Sequence, residues 1–120
     1  MREIRFKFWN RQLHRMSRPL GIGVIWEDLV EEWGVFDWKD IEKLQYTGLH
    51  DRRGREIYEG DILKHRGNSD LIDVVIWDEA ACRWLMKTTK WQLTLFAFND
   101  FNTMKAMIIG NIHENPELLP

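Results

Sequence analysis

LQYTGLHDRRGREIYEGDILK, residues 44–64, packs a strand, two tight turns and the entry of a second strand into one short stretch. In Asp51-Arg52-Arg53-Gly54 the Asp side chain can bond backbone N–H groups two residues on, and Gly54 accepts a positive φ, so these four residues read as a turn. Tyr58-Glu59-Gly60-Asp61 repeats the pattern with Gly60 as the residue that turns the chain. Ile57 and Tyr58 supply apolar and aromatic surface between the turns, and Ile62-Leu63 starts the next strand. Turns this closely spaced fix strand register, because a slip of one residue would reverse every side chain. Asp51, Gly54, Gly60 and Asp61 are therefore assigned a structural role.

Upstream, Ile4, Phe6 and Phe8 alternate with Arg5, Lys7 and Trp9, a period of two that predicts a half-buried strand. Residues 10–12 read as a turn and 13–18 as a short returning strand, before Pro19, Gly21 and Gly23 break the pattern. The apolar positions then become Ile25, Trp26, Leu29, Val30 and Trp33, which is helical spacing, with Gly34 as a C-terminal stop. Residues 35–43 fit neither period. Downstream, 66–70 is another turn cluster; 72–77 and 82–87 read as strands, as do 91–98 and 104–112. Asn115-Pro116 predicts one terminal helical turn, Asn as its cap and Pro at its first position.

Several short strands punctuated by turns predict a mainly β, antiparallel domain over residues 1–120, with one short helix. A partly open barrel of the SH3 kind is the expected architecture.

Three blocks carry a resemblance. They are Gln45-Tyr46-Thr47-Gly48-Leu49 continuing through Asp51, Gly54 and Glu56-Ile57-Tyr58-Glu59-Gly60-Asp61-Ile62; the opening Met1-Arg2-Glu3-Ile4-Arg5-Phe6-Lys7 with Trp9; and the close Ile109-Gly110-Asn111-Ile112 with Glu114-Asn115-Pro116-Glu117-Leu118-Leu119. Together they resemble the YopX-like family of phage and prophage proteins over nearly the whole chain. Asn10 and His113 depart from it, standing where Asp and Tyr are common. The resemblance implies a small, largely β phage protein acting in the host cytoplasm, and it supplies no catalytic residues.

With 44% hydrophobic and 30% charged residues in a chain of 120, the composition is that of an ordinary globular domain large enough to bury a core. Cys82 is the single cysteine, so no disulfide can form within the chain, and a small packed residue is expected there. The N-terminus lacks the apolar core of a signal peptide, and no apolar run reaches the ~20 residues of a membrane span. The four histidines lie at no close ligand spacing, so neither metal nor cofactor is expected, and no nucleophile elbow or phosphate loop points to an enzyme.

Binding is the expected activity, through contact with a protein partner. The alternative is nucleic acid. Arg2, Arg5, Lys7 and Trp9 combine cations with an aromatic ring, as single-strand binders do, and Arg52, Arg53 and Arg55 form a second basic tip. The net charge of −2 gives no general pull toward nucleic acid. Residues 1–19 hold six bases and one acid, while residues 20–46 hold seven acids and two bases. These blocks can neutralise each other within the chain or between copies. Seven tryptophans are many for one small core. A homo-oligomer is thus a further expectation, with Trp26, Leu29, Val30 and Trp33 at its contact.

Overall fold

A computed structural model describes residues 4–21, 23, 25–65, 71–89, 93–96 and 98–119. Arg2, the turn cluster at 66–70 and the part of the expected 91–98 strand at 91–92 and 97 lie outside these residues. In chain order the strands are β1 (Arg5–Asn10), β2 (Arg15–Met16), β3 (Leu20–Gly21), β4 (Ile41–His50), β5 (Glu56–Tyr58), β6 (Asp61–His65), β7 (Ile72–Asp78), β8 (Arg83–Thr88), β9 (Leu93–Phe96) and β10 (Ala106–Asn111). Helix α1 (Ile25–Trp33) precedes β4 and helix α2 (Asp100–Thr103) precedes β10, with single 3-10 turns at Trp38–Asp40 and Pro116–Leu118.

The fold is mainly β, as the turn-rich sequence predicts. Two antiparallel sheets share the work, one ordered β2-β1-β4-β5 with β3 also on β1, the other β10-β6-β7-β8-β9. One sheet is curled into a half barrel. The chain crosses from the first sheet to the second at Gly60, whose φ is +87°. There Gly60 donates its N–H to Val75 O at 2.8 Å and its carbonyl receives Ile112 N–H at 2.9 Å.

The core divides into two clusters. Phe8, Leu20 and Leu29 form one cluster, with Phe6, Trp33, Phe36 and Ile41 against it. Ile57, Leu63, Val75, Met86 and Ala106 form the other, with Trp84, Phe98 and Ile108 around it. Buried polar residues join strands across the second core. Asp73 lies on the inner face of β7, where an isolated carboxylate would be costly. His65 Nε2 lies 2.7 Å from one of its oxygens and Thr88 Oγ1 donates to the other at 2.7 Å, so β6, β7 and β8 are tied together.

Helix α1 starts and stops where the sequence indicates. Gly34, at φ +77°, donates its N–H to Val30 O at 2.7 Å and ends the helix. Four details differ from expectation. Leu20–Gly21, placed among chain-breaking residues, pairs with Phe6 and Arg5 as a strand, because the two-residue segment needs only an open edge of β1. A second helix appears at Asp100–Thr103, where Asn99 Oδ1 accepts Asn102 N–H at 2.9 Å and nucleates the turn. At the C-terminal turn Asn115 offers its carbonyl to Leu118 N–H at 3.1 Å, but its side chain bonds Asn111 N–H instead of capping. Cys82, expected to be packed, is exposed at φ +50° in the turn between β7 and β8. No helix among the described residues is long and apolar enough to cross a membrane.

Candidate functional site

The two acidic turn residues face inward. Asp51 Oδ1 accepts the N–H groups of Arg53 and Arg55, each at 2.9 Å, and Oδ2 accepts that of Ile108 at 2.9 Å. Burial alone would raise its pKa, but these three donors and the Arg55 guanidinium outweigh that and hold the carboxyl below the ordinary carboxylate range. Asp61 Oδ2 accepts Tyr58 N–H at 2.8 Å. Here burial wins over that bond and over the charges of Lys7 and Arg55, and the carboxyl is pushed up to about 7. Gly54, at φ +79°, closes the Asp51 turn with a 2.9 Å bond from its N–H to Asp51 O.

The basic strand presents a different surface from the one its alternation predicts. Arg5 Nη1 donates to Glu56 Oε2 at 2.8 Å, and the Tyr58 hydroxyl donates to the other Glu56 oxygen at 3.0 Å. Lys7 Nζ sits 4.5 Å from the centre of the Tyr58 ring. Trp9, expected to stand beside them as a stacking platform, is only 6% exposed. Its ring stacks on His113 at 5.5 Å and meets His14 edge-on at 5.8 Å. The reason is topological, since the C-terminal segment returns to cover this strand. Burial also lowers the His113 pKa, more than the nearby Glu42 raises it.

At the second basic tip Arg55 is engaged by Asp51 and by the Ile108 carbonyl. Arg52 and Arg53 are exposed, with Arg52 Nη2 3.4 Å from Met107 Sδ. The opposed charge blocks meet inside the chain. Arg18 lies 3.5 Å from Asp28 and 3.4 Å from Glu32, and Arg11 lies 3.5 Å from Glu42.

The four helix residues assigned to a contact separate. Leu29 is 0% exposed and belongs to the first core, because helical spacing turns it toward Phe8 and Leu20. Val30 and Trp33 are half-buried, and Trp26 is 46% exposed. Two residues that neither period placed are also exposed, Trp38 at 48% and Val35, the chain neighbour of Phe36, at 94%.

The rings form a connected base. Trp26 lies 4.8 Å from Phe36 and 5.7 Å from Trp38, and Phe36 lies 5.1 Å from Trp38 between ring centres. Trp38 also meets Phe8 at 6.5 Å, which anchors the patch to the core. Asp37 fixes the entry to the Trp38 turn by accepting Lys39 N–H at 3.0 Å on its side chain. The recurrence of rings at 33, 36 and 38 around Gly34 was the available signal for this patch.

Acidic side chains border it. Residues 25–38 contain five acids and no base. Glu27 and Glu31, four apart and exposed, make a ridge beside the one formed by Trp26 and Val30. Asp37 is exposed next to Trp38.

Residues 8–120 match the family model described as YopX protein. The crystal structure of protein EF1440 from Enterococcus faecalis is similar over 100% of both chains, with a TM-score of 0.67 and 20% sequence identity, a likeness of fold. No curated protein matches the chain.

Proposed function

The chain belongs to the YopX family, and from that starting point we propose a phage- or prophage-encoded accessory protein that acts in the host cytoplasm by binding another protein, without catalysis. The observation that carries this reading is the surface exposure of Trp26 and Trp38 on one packed aromatic base, with the exposed Val35 next to Phe36 in the chain. Large apolar groups gathered at one place on a small domain mark interaction sites, and Trp is enriched among the residues that dominate binding energy. The rings already pack on one another, so little side-chain entropy is lost when a partner covers them.

The nucleic-acid alternative has less support. Arg5 and Lys7 are occupied by Glu56 and the Tyr58 ring, and Trp9 is covered. Exposed Arg52 and Arg53 remain available to phosphates.

Affinity capture from host cells decides between them when wild type is compared with Trp26→Ser/Trp38→Ser and with Arg52→Glu/Arg53→Glu. Protein contact predicts a partner retained by wild type and by the arginine variant but lost from the tryptophan variant. Nuclease-sensitive material lost only from the arginine variant would reverse the order of the two readings.

A further inference from the structure

We propose that the partner surface seated on Trp26 and Trp38 is a cationic polypeptide segment, with Lys or Arg side chains flanking apolar or prolyl residues. The proposal rests on the preceding reading of this face as a protein contact and adds the chemistry of what it takes. The aromatic centre, three packed rings, calls for apolar groups that need no hydrogen bond from it. The charge comes from the border. Arg18 reaches across to Asp28 and Glu32, and Lys39 Nζ lies 3.8 Å from Asp37. Among the described residues no cation pairs with Glu27 or Glu31, and both are exposed. Arg18 thus neutralises the inner side of α1 and leaves the outer side, next to Trp26 and Val30, acidic. Electrostatic complementarity then selects a basic partner and speeds its encounter.

The same border argues against a second copy of this chain. A two-fold axis through the patch would bring two borders of the same sign, each carrying Glu27 and Glu31, into one interface, and like charges gathered in an interface are costly. A cation held against exposed Trp rings gains further attraction from the ring faces.

The test uses the full chain and a nonapeptide of three Arg-Pro-Leu repeats, with three Glu-Pro-Leu repeats as the control. Binding is followed by NMR, on the backbone amide signals in every variant and, in the wild type, on the indole N–H signals of Trp26 and Trp38 as well. We expect the cationic peptide to shift both signals. Its affinity should fall at least tenfold between low and moderate salt, as screened charge contacts require. It should also fall at least tenfold in Glu27→Lys/Glu31→Lys. Val35→Lys, which adds a cation next to Phe36 in the chain, should weaken binding as well, and at 94% exposure this position cannot disturb the core.

Absence of binding, equal binding of the acidic peptide, or full affinity in the charge-reversed variant overturns the proposal. If the charge-reversed variant still binds while Trp26→Ser/Trp38→Ser does not, the contact face stands and the cationic class falls. Binding unchanged in the tryptophan variant removes the contact face itself. A species of twice 14.5 kDa in sedimentation equilibrium, dissolved by Val35→Lys, would put a second copy on the face and also overturn the proposal.

Discussion

Asp51 Oδ2 accepts the backbone N–H of Ile108 at 2.9 Å, a bond between residues 57 apart in the chain. Two neighbours reinforce it. Arg52 donates its N–H to Ala106 O at 2.8 Å, and the Arg55 guanidinium reaches the Ile108 carbonyl. The tight turn at 51–54 is thereby fastened to the edge of the second sheet, and β10 is held on both its sides, by β6 and by the turn.

Replacing Asp51 by Ala removes the acceptor of three backbone N–H groups, those of Arg53, Arg55 and Ile108. Leaving buried donors unsatisfied costs about 1–3 kcal/mol per group, partly relieved by water at the exposed turn. We predict a loss of about 2–4 kcal/mol in urea unfolding at pH 7. A loss below ~1 kcal/mol would mean that the turn holds without its carboxylate.

The two buried carboxylates should give opposite pH dependences. Asp51 has a folded pKa below its unfolded value, so its contribution is present above the ordinary carboxylate range and disappears as pH falls through the lowered folded value. Asp61, raised to about 7, holds its proton in the folded state where the unfolded chain has lost it. Its effect is that stability falls as pH rises from about 4 to about 7. Asp61→Asn keeps an oxygen for Tyr58 N–H and removes the charge. It should therefore gain stability relative to wild type at pH 8, by as much as ~4 kcal/mol, and show little difference near pH 4. Thermal unfolding from pH 4 to 8 checks this, and an equal difference at both ends would exclude titration of Asp61 as the cause.

Gly54 and Gly60 both turn the chain at positive φ, yet their surroundings differ. A Cβ at Gly54 meets nothing within 4 Å, whereas one at Gly60 would sit 3.4 Å from Ile112 Cγ1 and 3.7 Å from His113 Nε2. Gly54→Ala should cost about 1 kcal/mol from backbone strain alone. Gly60→Ala should cost about the same, because the neighbours of the added methyl stand at ordinary van der Waals distance and the strain of a positive φ is common to both positions. A much lower melting temperature for Gly60→Ala alone would show that the junction of the two sheets has no room for the methyl.

Cys82 occupies a left-handed backbone position without being glycine and is exposed. Cys82→Gly should therefore stabilise the protein by about 0.5–1 kcal/mol, the strain relieved less the entropy that Gly adds to the unfolded chain. The native thiol should also react with a disulfide reagent as fast as a free peptide thiol. Slow reaction, gated by unfolding, would place Cys82 inside the turn.

What was legible in the sequence was local. Asp51, Gly54 and Gly60 announce their turns because the side chain that closes each turn, or the glycine that permits it, lies within it. The α1 pattern was readable for the same reason, since residues three and four apart share a face. Trp9 was misplaced because its covering partner, His113, comes from the far end of the chain, and alternation says nothing about what returns to cover a strand. The contact assigned to Trp26, Leu29, Val30 and Trp33 leaves out Val35 and Trp38, because an irregular segment has no period from which to infer a face. Leu29 was assigned outward with its helical neighbours, although only its distance from Phe8 and Leu20 decides which side of a short helix is inside.

The place of β10 bears on how this protein is made. β6 lies between β7, a few residues downstream, and β10, which follows only after β7, β8, β9 and α2. Contacts of such sequence separation form slowly, because a long loop must close before they offer anything in return. On the ribosome the hairpin of β7 and β8 can assemble as it emerges, but β6 keeps one bare edge until residues 106–111 leave the exit tunnel. Through that interval Asp51 lacks its Ile108 donor and Ile57 and Leu63 lack the cover of Ala106. Nascent chains paused before β10 are thus the form of this protein most exposed to proteases and to pairing with another unfinished copy.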